Sequence, residues 1–212
     1  MTTVSPIQGM KNRVEVIRGG RQLQYVTILW NSLECVIAVA AGLLAGSIAL
    51  VGFGLDSAIE VTSSVAALWR LRHDADEAAR ERAERHAVRI IGVCFLLLAT
   101  YVLYEAVGTL IERRPPSQSW IGIILAALSL IVMPVLAHLK RLVAMRLESG
   151  ALEAETRQTE VCAYLSAILL IGLGLNAWLG WWWADPVAGL VMVPLIAWEG
   201  AEAVRGRTCC PD

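Results

Sequence analysis

The sequence predicts an all-α fold, a polytopic membrane protein of six transmembrane helices. Three observations carry this expectation. The 212 residues are 57% hydrophobic and 17% charged, with a mean hydropathy of +0.59, a balance that suits a bilayer rather than water. The charges are segregated into short blocks between apolar runs of about 20 residues, the length that crosses a hydrocarbon core. The basic blocks fall on alternate connections, the pattern of hairpins inserted with one preferred orientation.

Residues 1–23 carry Lys11, Arg13, Arg18 and Arg21 against Glu15 alone. They read as a cytoplasmic tail, either solvated or folded as a short amphipathic helix on the membrane surface. They contain no apolar core of a cleavable signal peptide, so the first span is expected to direct insertion. That span runs from about Gln24 to Ala45 and contains Asn31 and Glu34. Glu34 lies deep in it and is expected to face the bundle interior, as a proton or metal ligand or as a partner for a neighbouring helix. Gly42 and Gly46 form a small-xxx-small pair, suited to a tight turn or close helix packing.

The second span, about Ser47 to Trp69, follows without an intervening charge. Residues 70–89 then form a dense charged connection, which reads as solvation. Its His73, Asp74, Asp76, Glu77 and His86 also have side chains that attract metal ions. The third span is about Ile90 to Ile111, with Glu105 inside, and the short ERRPPSQS connection is held by Pro115 and Pro116. The fourth is about Trp120 to Leu139, with Pro134 as an expected kink and His138 at the interface. Residues 140–160 form a second charged connection. The fifth span covers about Thr159 to Leu179. Trp181, Trp182 and Trp183 then look like an interfacial belt, and Asp185–Pro186 like a helix start with Asp as N-cap and Pro at the first helical position. The sixth span ends near Ala203.

The domain organisation expected is a tail over 1–23, a six-helix membrane domain over 24–203 and a short tail over 204–212. Lys and Arg lie in both tails and in the two long connections, whereas the opposite loops carry little beyond Arg113 and Arg114. By the positive-inside rule both termini are cytoplasmic, in the inner (cell) membrane. The net charge of −1 gives no footprint for nucleic acid. Five cysteines, Cys35, Cys94, Cys162, Cys209 and Cys210, show no repeated spacing that suggests a disulfide framework. No nucleophile–base pair or nucleotide-binding glycine motif points to an enzyme.

The chemistry concentrates in the second span. Asp56 and Glu60 are four residues apart, on one face of a helix, and about 14–20 Å deep. Each carboxylate at that depth costs about 3 kcal/mol on insertion scales, so a lipid-facing helix has no use for two. Paired acids can bind a divalent cation, and because burial and mutual repulsion favour the protonated form they can also exchange it for protons. The rival reading is a pair of protonated acids that hold helices together. At the start of the fifth span Gln158 and Cys162 repeat the four-residue spacing, with Glu155, Thr159 and Glu160 nearby. A thiolate with carboxylates suits Zn²⁺, while an oxygen-rich set also admits Mn²⁺ or Fe²⁺. Cys162 can equally be a small packing residue.

These features resemble the cation diffusion facilitator (cation efflux) superfamily of proton-coupled metal exporters. The resemblance rests on the six spans and on GSIALVGFGLDSAIE in the second, with support from RAER at 82–85, QTEVCAYLS and WWWADPVAG, and it covers nearly the whole chain. It implies a cation-efflux-type bundle whose second and fifth helices each supply two ligands. By position these are Asp56 and Glu60, then Gln158 and Cys162 where the family often has His and Asp; a shift of register brings in Glu155 or Glu160 instead. The ferredoxin-like cytoplasmic domain that typical members carry after the sixth span is expected to be absent, which makes this a compact branch and leaves the membrane helices to form any homodimer. The implied activity is export of a divalent cation, Zn²⁺ first and Mn²⁺, Fe²⁺, Co²⁺ or Cd²⁺ as alternatives, by alternating access coupled to inward proton movement, with no permanently bound cofactor. The implied partners are the metal ion, protons and the lipid bilayer. A non-transporting membrane metal sensor or accessory subunit on the same scaffold is the alternative.

Overall fold

The computed structural model describes residues 6–72, 77–147 and 149–205. Their secondary structure consists of α1 (Pro6–Ala45), α2 (Ile48–Arg72), α3 (Glu77–Glu112), α4 (Trp120–Leu147), α5 (Gly150–Leu179) and α6 (Ala184–Arg205). Each contains a stretch long and apolar enough to cross a membrane, matching the six spans expected. Several helices exceed the apolar runs that announced them. α1 continues unbroken from Pro6 through the segment read as a tail, and α4 runs on from Leu139 to Leu147. A hydropathy boundary marks where lipid contact ends, whereas backbone hydrogen bonding continues as long as the chain tolerates the helix.

His73, Asp74, Asp76, Cys209 and Cys210 lie outside the described residues, as do the side chains of Glu77, His86 and RAER 82–85.

The helices pack as neighbours in the pairs α1–α2, α3–α6 and α4–α5, and α2 also meets α3, α5 and α6. This central place makes α2 the most buried of the six. Lipid-facing positions on the outer helices carry exposed Leu29, Leu33, Leu44, Ile111, Ile124 and Trp198, as a bundle solvated by acyl chains requires. The interior is lined by small and branched side chains around Phe53, including Leu50, Val102, Met133, Leu165 and Leu169.

Glycines permit close approaches at several helix contacts, among them the α1–α2 turn and the α3–α6 crossing. Gly46 takes a left-handed φ of 67° that ends α1, and a Cβ on Gly42 would stand 2.7 Å from the Val51 side chain, so the turn and the tight α1–α2 contact expected from this pair are both present. At the α3–α6 crossing a Cβ on Gly92 would meet the Val204 backbone nitrogen at 2.7 Å.

The end of the bundle that holds the α1–α2 turn is tied by polar contacts. The Ser117 amide donates to the Ala45 carbonyl at 2.7 Å, and the Asn176 side chain donates to the Pro116 carbonyl at 3.3 Å. Trp181 and Trp183 stack at 5.1 Å on the α5–α6 turn, partly exposed, as interfacial tryptophans stand. Pro134 lies on the exposed face of an unbroken α4, and His138 also faces outward.

Asp185 differs from expectation. It lies in the first turn of α6, but its carboxylate serves another helix: the Ser47 hydroxyl donates to Oδ1 at 2.5 Å and the Ile48 amide to Oδ2 at 3.1 Å. It therefore caps α2, not its own helix. An unpaired amide at a helix start is costly when buried; Ser47 already accepts from the Leu50 amide at 3.2 Å, and Asp185 serves the Ile48 amide that Ser47 leaves.

Candidate metal centre

The four residues singled out in the sequence all lie in the interior, on the facing surfaces of α2 and α5. Asp56, Glu60 and Cys162 are almost wholly buried, and Gln158 is nearly so. The α2 spacing of four places Asp56 and Glu60 one above the other, toward α5. Cys162 is buried in the same apolar core as Phe53 of α2. Gln158 lies a turn away from it: its carbonyl oxygen accepts from the Ser63 hydroxyl at 2.6 Å, and its Nε2 has no partner.

Glu155 is drawn in further than Gln158. The Ser64 hydroxyl donates to its Oε1 at 3.2 Å and the Gln24 amide to its Oε2 at 2.9 Å. Glu160, the other alternative, is directed outward into an ion pair with Arg141.

The decisive addition is Lys140 of α4, which the sequence reading placed at the head of a charged connection. It is 2% exposed. Its Nζ pairs with Glu155, reaches Glu60 Oε1 at 3.4 Å and donates to the Thr159 hydroxyl at 2.8 Å. Thr159 in turn donates to the same Glu60 oxygen at 2.6 Å. Glu60 Oε2 is left buried without a partner. Among the described residues no group of three or more His, Cys, Asp or Glu side chains is placed to hold one metal ion. Between Glu60 and Glu155 stands the Lys140 ammonium.

Glu34 of α1 faces the same interior. The Ser57 hydroxyl donates to its Oε2 at 2.9 Å, while its Oε1 is unpartnered, as are the nearby Ser129 hydroxyl and Trp30 indole nitrogen. Glu105 is only half-buried on α3. Cys35 is half-buried, Cys94 exposed and Cys162 buried, all three as free thiols. An open groove between α1 and α4, lined by Leu23, Val26, Leu139 and Leu142, is separate from these acids.

The bundle and its buried acids can be set beside known proteins. Residues 25–205 match the family described as the cation efflux transmembrane domain. An uncharacterized transporter of Synechocystis is 26% identical over 175 residues, covering 80% of this chain and 56% of that protein. The cation-efflux pump FieF of Citrobacter koseri is 24% identical over 184 residues, covering 82% of this chain and 61% of the pump, and FieF of Escherichia coli matches equally. The chain thus spans about three fifths of the length of these curated relatives. With six apolar helices and this match over most of its length, the chain is an integral membrane protein and belongs to the cation efflux family.

Proposed function

We propose that this protein moves divalent metal cations across a membrane, Zn²⁺ first, as an exporter that exchanges metal for protons. The observation that carries the reading is the burial of Asp56 and Glu60, one turn apart on α2, with Cys162 buried on the neighbouring α5, in an interior where an acid is costly unless it is used. Carboxylates with a cysteine sulfur suit Zn²⁺. Gln158 is the weakest of the proposed ligands, because Ser63 already holds its carbonyl. A buried acid pair also supplies proton acceptors to the outward-open state, in which protons would replace the metal. In this reading the termini face the cytoplasm across the inner membrane, and two copies pair through their helices.

The test is Zn²⁺ uptake into inside-out proteoliposomes with an acid-inside gradient, with Glu60→Gln run in parallel. Gradient-driven uptake that vanishes in the variant supports the exporter. Absence of flux with Zn²⁺, Mn²⁺, Fe²⁺, Co²⁺ and Cd²⁺ rejects it.

One observation favours a second reading. Lys140 already neutralises part of the acid cluster, as a static scaffold would. A non-transporting metal sensor or accessory subunit would bind the ion without flux, and equilibrium binding in detergent alongside the flux assay separates the two.

A further inference from the structure

A lysine in a membrane interior is rare and costly, and the long side chain ordinarily carries its charge out to the interface. Lys140 does the opposite. It lies on the buried face of α4 with Met133, Leu136 and Ala137, and its ammonium is turned inward to Glu155, Thr159 and Glu60. These partners are unequal. Glu155 is the close one; Ser64 donates to the same oxygen that Lys140 holds, and Gln24 holds the other oxygen. Glu60 is the distant one at 3.4 Å, and it keeps Oε2 free of any partner.

We propose that Lys140 is a tethered cation that competes with the transported ion for Glu60 and sets the charge that the site accepts. This inference rests on the transport reading above. A metal ion on the free Oε2 of Glu60 stands one carboxylate away from the ammonium, and their repulsion is relieved when Lys140 gives up its long contact and rests on Glu155 alone. No helix need move for that exchange, since Glu155 and Thr159 both lie on α5 and Thr159 already bridges the two positions. The same arrangement selects by charge. With Lys140 resting on Glu155 and Cys162 kept as a neutral thiol, a divalent ion balances the two carboxylates of Asp56 and Glu60. A monovalent ion leaves a net charge buried among the helices, which is strongly disfavoured. Release is helped as well, because the ammonium returns to Glu60 as the cargo leaves.

The experiment uses the full chain, purified in detergent and reconstituted, with Zn²⁺ and Na⁺ as probes. Two variants are compared with the wild type: Lys140→Met, and Lys140→Met/Glu155→Gln, which removes the buried pair together and avoids leaving Glu155 as an uncompensated charge. Thermal unfolding establishes that the proteins tested are folded. In the double variant Zn²⁺ binding should tighten by about tenfold or more, the effect of removing one competing charge-assisted contact, while maximal flux falls because release has lost its competitor. In Lys140→Met, Na⁺ should inhibit Zn²⁺ binding far more strongly than in the wild type, because a monovalent ion can take the ammonium's place at Glu155. Should Lys140→Met not fold, the double variant decides alone. A folded double variant with wild-type or weaker Zn²⁺ affinity overturns the inference and leaves Lys140 as a structural ion pair. The transport reading fails separately: a wild type that neither binds nor moves any divalent ion overturns both, whereas a wild type that transports beside an unresponsive double variant overturns only the role of Lys140.

Discussion

Asp185 and Glu60 are both carboxylates buried in the same helical bundle, and they are treated in opposite ways. Asp185 has both oxygens engaged, by a hydroxyl and a backbone amide at the start of α2. Glu60 has one oxygen shared between Thr159 and Lys140, and the other is bare. A saturated buried acid has finished its work in the folded state, because any new partner would have to displace an existing hydrogen bond. A half-satisfied one carries an unmet desolvation cost, which a cation or a proton can relieve. The difference separates an acid that holds helices from one that is available to a ligand.

The largest expected effect tests that separation directly. Glu60→Gln should lower Zn²⁺ flux in proteoliposomes by more than about tenfold, since one charge-assisted contact of ~1.5–3 kcal/mol is lost and each decade is worth 1.4 kcal/mol. Asp56→Asn should do the same. Flux like that of the wild type in both would remove the site from α2.

Asp185→Ala should show the reverse pattern. It removes the acceptor for the Ser47 hydroxyl and the Ile48 amide inside the bundle, so it should destabilise the protein by about 1–3 kcal/mol, read as a lower unfolding temperature in detergent. Flux per folded molecule should stay near that of the wild type. If flux falls far more than stability does, Asp185 belongs with the transport groups and the comparison fails.

Glu34 sharpens the contrast, because it resembles Glu60: Ser57 holds one oxygen and the other is unpartnered. Glu34→Gln should reduce flux severalfold with a smaller change in unfolding temperature than Asp185→Ala. An unchanged flux would place Glu34 with the acids that only join helices.

The fold was readable because apolar runs of membrane length, with charges confined between them, leave the chain few alternatives. Asp56 and Glu60 stood out by the same logic, as charges where hydrocarbon was expected. Lys140 did not, because it adjoins Arg141 at the point where the fourth hydropathy run ends, and the pair looks like the start of a polar connection. A signal was nevertheless present. The buried face of α4 runs Ala126, Ser129, Met133, Leu136, Lys140, Ala144 and Leu147, spaced by three and four, so Lys140 continues the inward stripe while Arg141 steps off it. Glu155 was named beside Glu160 as an alternative, but its place in the polar first turns of a helix whose N-cap is Ser149 gave no sign that it, and not Glu160, turns inward. The partner of Asp185 was beyond sequence altogether, since capping of one helix by a side chain of another depends on tertiary contact 138 residues apart.

The smallest expected effect comes from two adjacent residues. Lys140 and Arg141 each pair with a glutamate of α5, but Lys140–Glu155 is sealed inside, whereas Arg141 is 54% and Glu160 32% exposed. An exposed pair gains little because its members remain largely solvated or mobile and lose side-chain entropy on pairing. Arg141→Ala should therefore change stability by no more than about 1 kcal/mol and leave Zn²⁺ affinity and flux within error. Moving one residue along α4 keeps a glutamate of α5 as partner and changes mainly the burial of the pair, from sealed to exposed. A large loss in Arg141→Ala would mean that the α4–α5 contact itself, and not the ammonium held within it, governs the site.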